Sequence, residues 1–213
     1  MYYALRFMYG PGSRGILAPN LDFMSIALLA LGVGSFLFHA SLRHALEYVD
    51  ELSMLGLTWS MLQASMTARQ PPSKSRAITA GLAIFHIAFC FFYVWSASIL
   101  AQVVLFVGSI IAVGMRAHYL FHWVKPGFPI EKRRNWAKRT RRAALIAFIG
   151  YIIWNIDLQY CAELRAIRQM VGLPWAWLFE FHGWWHILTG IGAGRVMQVA
   201  REVQVEAGRK KGQ

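Results

Sequence analysis

The stretch GVGSFLFHASLRHALEYVDEL, residues 32–52, decides how the chain is read. Its first half ends an apolar run, 21–42, in which only Asp22 and His39 can carry charge. About 20 apolar residues cross the roughly 30 Å hydrocarbon core, so this run predicts a membrane helix. Its second half places Asp50 and Glu51 at the entry to another apolar segment, 49–67. A charged group at the centre of a span costs at least ~2.5 kcal/mol, which makes Ser35, His39 and Asp50 candidates for function.

The rest of the chain agrees with a membrane reading. Of its 213 residues, 57% are hydrophobic and 15% charged, too apolar for an ordinary soluble domain. The formal charge of +12 comes from basic blocks between apolar runs, which points to membrane topology and away from nucleic acid. Cys90 and Cys161 are too few for a disulfide framework, and no CxxC occurs, so any metal site must rest on histidine. No cleavable signal peptide is expected from the N-terminal residues.

Residues 77–115 carry no formal charge and would reach roughly 58 Å as one helix, nearly twice the core, so two spans are expected with a turn near WSAS, 95–98. With 143–160 and 175–199 the chain reads as an all-α membrane protein of six transmembrane helices, at about 21–42, 49–67, 77–95, 98–116, 143–160 and 175–199. An N-terminal segment 1–20 precedes the bundle 21–200, and a basic tail 201–213 follows it.

Lysine and arginine fix the orientation. Arg14, the loop after Thr67, residues 125–142 with eight Lys or Arg against one Glu, and the tail with Lys210 and Lys211 share one side, predicted to be cytosolic. The opposite side holds Ser35, His39 and Asp50, the end of the fifth span with Asp157, and the start of the sixth with His182 and His186. Six polar groups thus converge on one membrane depth.

His182 and His186 are four apart, the spacing by which a helix offers two imidazoles to one metal ion. His39 is the natural third ligand, because a zinc ion with three protein ligands keeps a position for water. Asp50 would then take a proton, and Ser35 would hydrogen-bond the substrate or its oxyanion. A serine hydrolase of Ser35, His39 and Asp50 is the rival, but it leaves His182 and His186 without a role. Glu180 either orients an imidazole or lies at the interface. His118 and His122 repeat the HxxxH spacing beside a basic loop and read as interface residues; His86 reads as packing. Gly190 and Gly194 form a GxxxG that suits close helix approach.

The blocks GVGSFLFHASLRHALEYVDELSML, WNIDLQYC and FHGWWHILTG together resemble the alkaline ceramidases, seven-helix intramembrane zinc amidases related to the adiponectin receptors. The resemblance implies that His39, His182 and His186 bind zinc, that Asp50 assists the metal-activated water, and that Ser35 lies in the same site. It gives Asp157 a supporting role behind the ligands. The implied reaction is hydrolysis of the ceramide amide to a sphingoid base and a free fatty acid, in the endoplasmic reticulum or Golgi membrane with the catalytic residues towards the lumen. The family's acidic, calcium-binding N-terminal segment and first helix have no counterpart in MYYALRFMYGPGSRG, so the expected architecture is a seven-helix bundle lacking its first helix, without the calcium site. The alternative is a truncated or non-catalytic relative that binds lipid or acts like a receptor.

Overall fold

The computed structural model describes residues 1–10 and 21–209. Residues 11–20 of the expected N-terminal segment, including Arg14, and residues 210–213 of the tail lie outside the described residues. The described residues are helical apart from short connections and contain no strand. The chain divides into two compact units, one of Met1–Arg133 with Ala200–Gln213 and the other of Arg134–Val199.

In the first unit, α1 (Tyr2–Tyr9) precedes α2 (Phe23–Ser41), α3 (His44–Thr67), α4 (Pro72–Ser96) and α5 (Ile99–His122). Asp22 caps α2 by accepting from Ser25 N at 2.7 Å, which satisfies one of the donors a helix start leaves open. The same carboxylate pairs with Arg201, whose guanidinium lies 4.3 Å from the Phe7 ring centroid and so ties α1 to the start of α2. Helix α2 ends in a left-handed residue, Leu42, and Arg43 caps α3, so two residues make the turn. Between α4 and α5 the turn is Ala97–Ser98, where the long uncharged run 77–115 was expected to break.

Helices α2, α4 and α5 are each long and apolar enough to cross a membrane. Only 11% of the apolar window of α4, and of α5, is buried, so most of their apolar side chains face outward, as on a lipid-facing helix. Helix α3 packs against α2, α4 and α5. It is the least lipid-like of the four because it lies among them: Leu55 and Ser60 are buried, and Thr58, Ser60 and Ser65 donate to carbonyls three residues back. His86 is likewise a packing residue, its Nδ1–H donating to Leu82 O at 2.8 Å and its ring stacking on Trp59. Beyond α3, Arg69 bonds the Pro126 carbonyl and lies over Phe128; burial lowers its pKa, while the nearby Glu206 carboxylate acts in the opposite sense.

The second unit holds most of α6 (Ile130–Gln159), then α7 (Cys161–Val171), a short 3-10 turn at Trp175–Phe179, and the first part of α8 (Phe181–Arg209). Helix α6 begins well before the apolar run at 143, because Lys and Arg favour helix as strongly as most apolar residues and Glu131 suits its first turn. Helix α7 turns away from α6 by 89°; counted together they make one bent candidate span. The described helices thus contain three spans by length and apolarity, or four with the bent pair, where hydropathy along the chain suggested six. Helix α8 contributes polar and glycine-rich turns, which lowers its mean apolarity although it is long. It also continues to Arg209, so the basic segment from 201 to 209 is helical.

Helices α6 and α8 approach closely. A β-carbon at Gly192 would lie 3.1 Å from Ala143 O, and one at Gly150 would lie 3.2 Å from Leu188 Cβ. Gly190, one member of the GxxxG pair, meets nothing within 4 Å. Gly192 is on the face of α8 that meets α6.

Candidate metal centre

Each unit carries a histidine–carboxylate arrangement. In the first, the backbone of α2 meets α3 at Gly34, where a β-carbon would lie 3.1 Å from Val49 Cγ1 and 3.3 Å from Ser53 Oγ. Missing side-chain volume at Gly34 lets the two helices close. One turn above, His39 Nε2 lies 3.8 Å from Asp50 Oδ2. Asp50 is buried at 9% exposure, whereas His39 is exposed, so the carboxylate is held by protein while the imidazole faces outward. Ser35 is half-buried one turn before His39 on the same helix face.

Sequence reasoning missed the neighbour of Asp50. Glu51 accepts a hydrogen bond from the Tyr93 hydroxyl of α4, and Tyr93 is 2% exposed and packs edge-on against Tyr48. The only signal in the sequence was a second acid beside the first, which does not reveal its partner 42 residues away.

In the second unit, His182 and His186 occupy the first turns of α8 with ring centroids 4.8 Å apart. Asp157, near the end of α6, places Oδ2 4.0 Å from His182 Nδ1. Trp154, one turn earlier, stacks on Trp185 and fixes α6 against α8 at this level. Glu180 pairs with Arg168 at 3.3 Å, and Arg168 also donates to Phe179 O at 2.9 Å. That pair fastens α7 to the turn that leads into α8. The His118–His122 pair, with centroids 4.5 Å apart, has exposed rings at the end of α5.

The donor set suits a borderline metal ion such as zinc: two imidazoles at helical spacing and a third on α2, with a carboxylate beside His39 and another beside His182, the kind of group that orients a ligating imidazole. Both carboxylate distances exceed a hydrogen bond and lie within ion-pair reach.

A family model described as Ceramidase matches residues 1–213. The chain is 32% identical over 176 residues to the alkaline ceramidase YPC1 of Saccharomyces cerevisiae, an alignment covering 76% of this chain and 55% of that one. It is 27% identical over 173 residues to alkaline ceramidase 3 of Mus musculus, covering 79% and 60%. The chain therefore spans little more than half the length of these curated relatives. With a family model matched from end to end, and histidines and acids gathered in the blocks that first suggested the resemblance, the chain belongs to the ceramidase family.

Proposed function

We propose that this protein hydrolyses the amide bond of ceramide-type lipids, releasing a sphingoid base and a free fatty acid, with a zinc ion held by His39, His182 and His186. The observation that carries the reading is the pairing of histidine with buried or half-buried acid, His39 with Asp50 and His182 with Asp157. Family membership supports the substrate class.

A bound zinc ion would supply Lewis-acid polarisation of the amide carbonyl and lower the pKa of water towards ~7, which an unreactive amide requires. Asp50 accepts the proton of the attacking water and returns it to the departing amine nitrogen. Ser35 donates a hydrogen bond to the carbonyl oxygen as negative charge develops there. Asp157 holds the His182 ring in orientation from behind. Glu180 acts at one remove, by bonding Arg168 and setting where α8 begins.

The basic segments 125–142 and 201–213 face the cytosol, and the histidines face the lumen of the endoplasmic reticulum or Golgi. Fatty-acid release from a panel of ceramides by the purified chain tests the activity. Release should be lost in His186→Ala and after chelation, and zinc should restore only the chelated wild type. Folded protein that releases nothing would replace this reading with a non-catalytic, lipid-binding relative.

A further inference from the structure

Helix α7 leaves the end of α6 at 89°, so an α6 that crosses the bilayer lays α7 nearly in the membrane plane. Its 11 residues reach only about 16 Å, about half of the hydrocarbon core, and Glu163, Arg165 and Arg168 are too costly for the interior. Helix α7 therefore belongs to the boundary between hydrocarbon and water. Polar ties hold the excursion together from inside. Leu164 is buried, and Arg168 pairs with Glu180 at 3.3 Å and donates to Phe179 O at 2.9 Å. Gly172, at φ +67°, turns the chain after α7 in a backbone conformation that any side chain would strain.

The tip of the excursion has the opposite character. Residues 169–179 carry no charge. Met170 and Leu173 are 83% and 89% exposed, and Trp175 and Trp177 are 61% and 51% exposed. Such a patch is a liability in water, whereas beside a bilayer tryptophan suits the headgroup level and leucine and methionine the acyl chains beneath it. The patch also continues a surface that faces lipid: the exposed apolar side of α6 runs through Ile156, Leu158 and Tyr160 to the start of α7. Across residues 161–180, Glu163 and Glu180 balance Arg165 and Arg168. A segment without net charge gains little from anionic headgroups, so the surface it fits is neutral lipid.

We infer that residues 170–178 are a membrane anchor, seated in the headgroup–acyl boundary of the leaflet at the end of α6. The anchor is tied to the beginning of α8: Trp177 packs on Trp184 with ring centroids 5.4 Å apart, and Trp184 Nε1 donates to Leu178 O at 3.2 Å. It thereby holds the turns that carry His182 and His186 at one depth. The inference rests on the chain spanning a membrane and does not depend on ceramide hydrolysis.

The test is electron paramagnetic resonance of the full chain in phosphatidylcholine vesicles, with one nitroxide placed by Leu173→Cys or by Arg165→Cys in a Cys90→Ala/Cys161→Ser background. Both labelled positions are exposed, so the fold should tolerate the label. Oxygen concentrates in hydrocarbon and a nickel chelate in water, so the ratio of their accessibilities reports depth. At position 173 oxygen should exceed the chelate severalfold, and at position 165 the order should reverse. Trp175→Asp should raise chelate accessibility at position 173 severalfold, because a carboxylate beside the label draws the tip into water. Adding phosphatidylserine to the vesicles should leave these ratios unchanged. Chelate dominance at position 173 in the otherwise unaltered tip would put the tip in water and overturn the proposal. Exclusion of both reagents would overturn it in favour of a protein cover, such as a second copy of the chain. Insertion only with phosphatidylserine would overturn the neutral surface, and unchanged depth in Trp175→Asp would overturn anchoring by the tryptophan.

Discussion

His39 Nε2 and Asp50 Oδ2 stand 3.8 Å apart across the α2–α3 turn, although ten residues separate them in sequence. The two-residue turn at Leu42 and Arg43 returns the chain antiparallel, so groups near the end of one helix meet groups near the start of the next. This short hairpin places a buried acid beside an exposed imidazole.

If Asp50 transfers the proton, Asp50→Asn lowers the rate of ceramide hydrolysis by roughly 10²–10⁴-fold. The neutral amide keeps the shape of the carboxylate, so the zinc content of the purified protein should remain near that of wild type. His39→Ala should lower activity and bound zinc together. Rates and elemental analysis on the same preparations separate the two roles, and equal zinc loss in both variants would remove Asp50 from proton transfer.

Gly34 sets the spacing of α2 and α3. Gly34→Val introduces atoms where even a β-carbon lies 3.1 Å from Val49 Cγ1, and overpacking of this kind costs about 1–3 kcal/mol. Thermal unfolding in detergent should show the loss, and activity should fall as Asp50 moves from His39. Gly56→Ala, at a position with open space around it, serves as the control and should change little.

Tyr93→Phe removes the donor that satisfies Glu51 while leaving the ring in place. A partly buried acceptor without its partner costs about 1–3 kcal/mol, so the midpoint of unfolding should drop. Activity per folded molecule should hold, because Glu51 is not assigned to the reaction. A parallel loss of both would place Glu51 in the site with Asp50.

Topology is testable without activity. A glycosylation acceptor inserted beside Lys132 should stay unmodified in microsomes, and one inserted beside Leu173 should be modified. The reverse pattern would turn the histidines to the cytosol.

Much of the fold was legible in the sequence. The apolar runs marked α2, α4 and α5, and the excess length of 77–115 located the turn at Ala97 and Ser98 to within a residue. These features depend on whether a segment avoids water and on how far a helix reaches, both of which are properties of local sequence. The blocks around His39, Asp157 and His182 likewise carry the family resemblance, in agreement with the family match.

Neighbours were decided by the tertiary structure. Hydropathy cannot distinguish a helix side that touches lipid from one that touches another helix, since both surroundings are apolar. It therefore missed that α3 lies against α2, α4 and α5 and can carry polar residues, and that Glu51 meets Tyr93. It gave no sign that the glycine packed against Ala143 is Gly192. It took the basic residues before 143 for a loop because charge dominates hydropathy, although the backbone there is helix. Apolar runs are local and show which segments leave water; partners depend on side-chain shape at close range, which only the folded chain brings together.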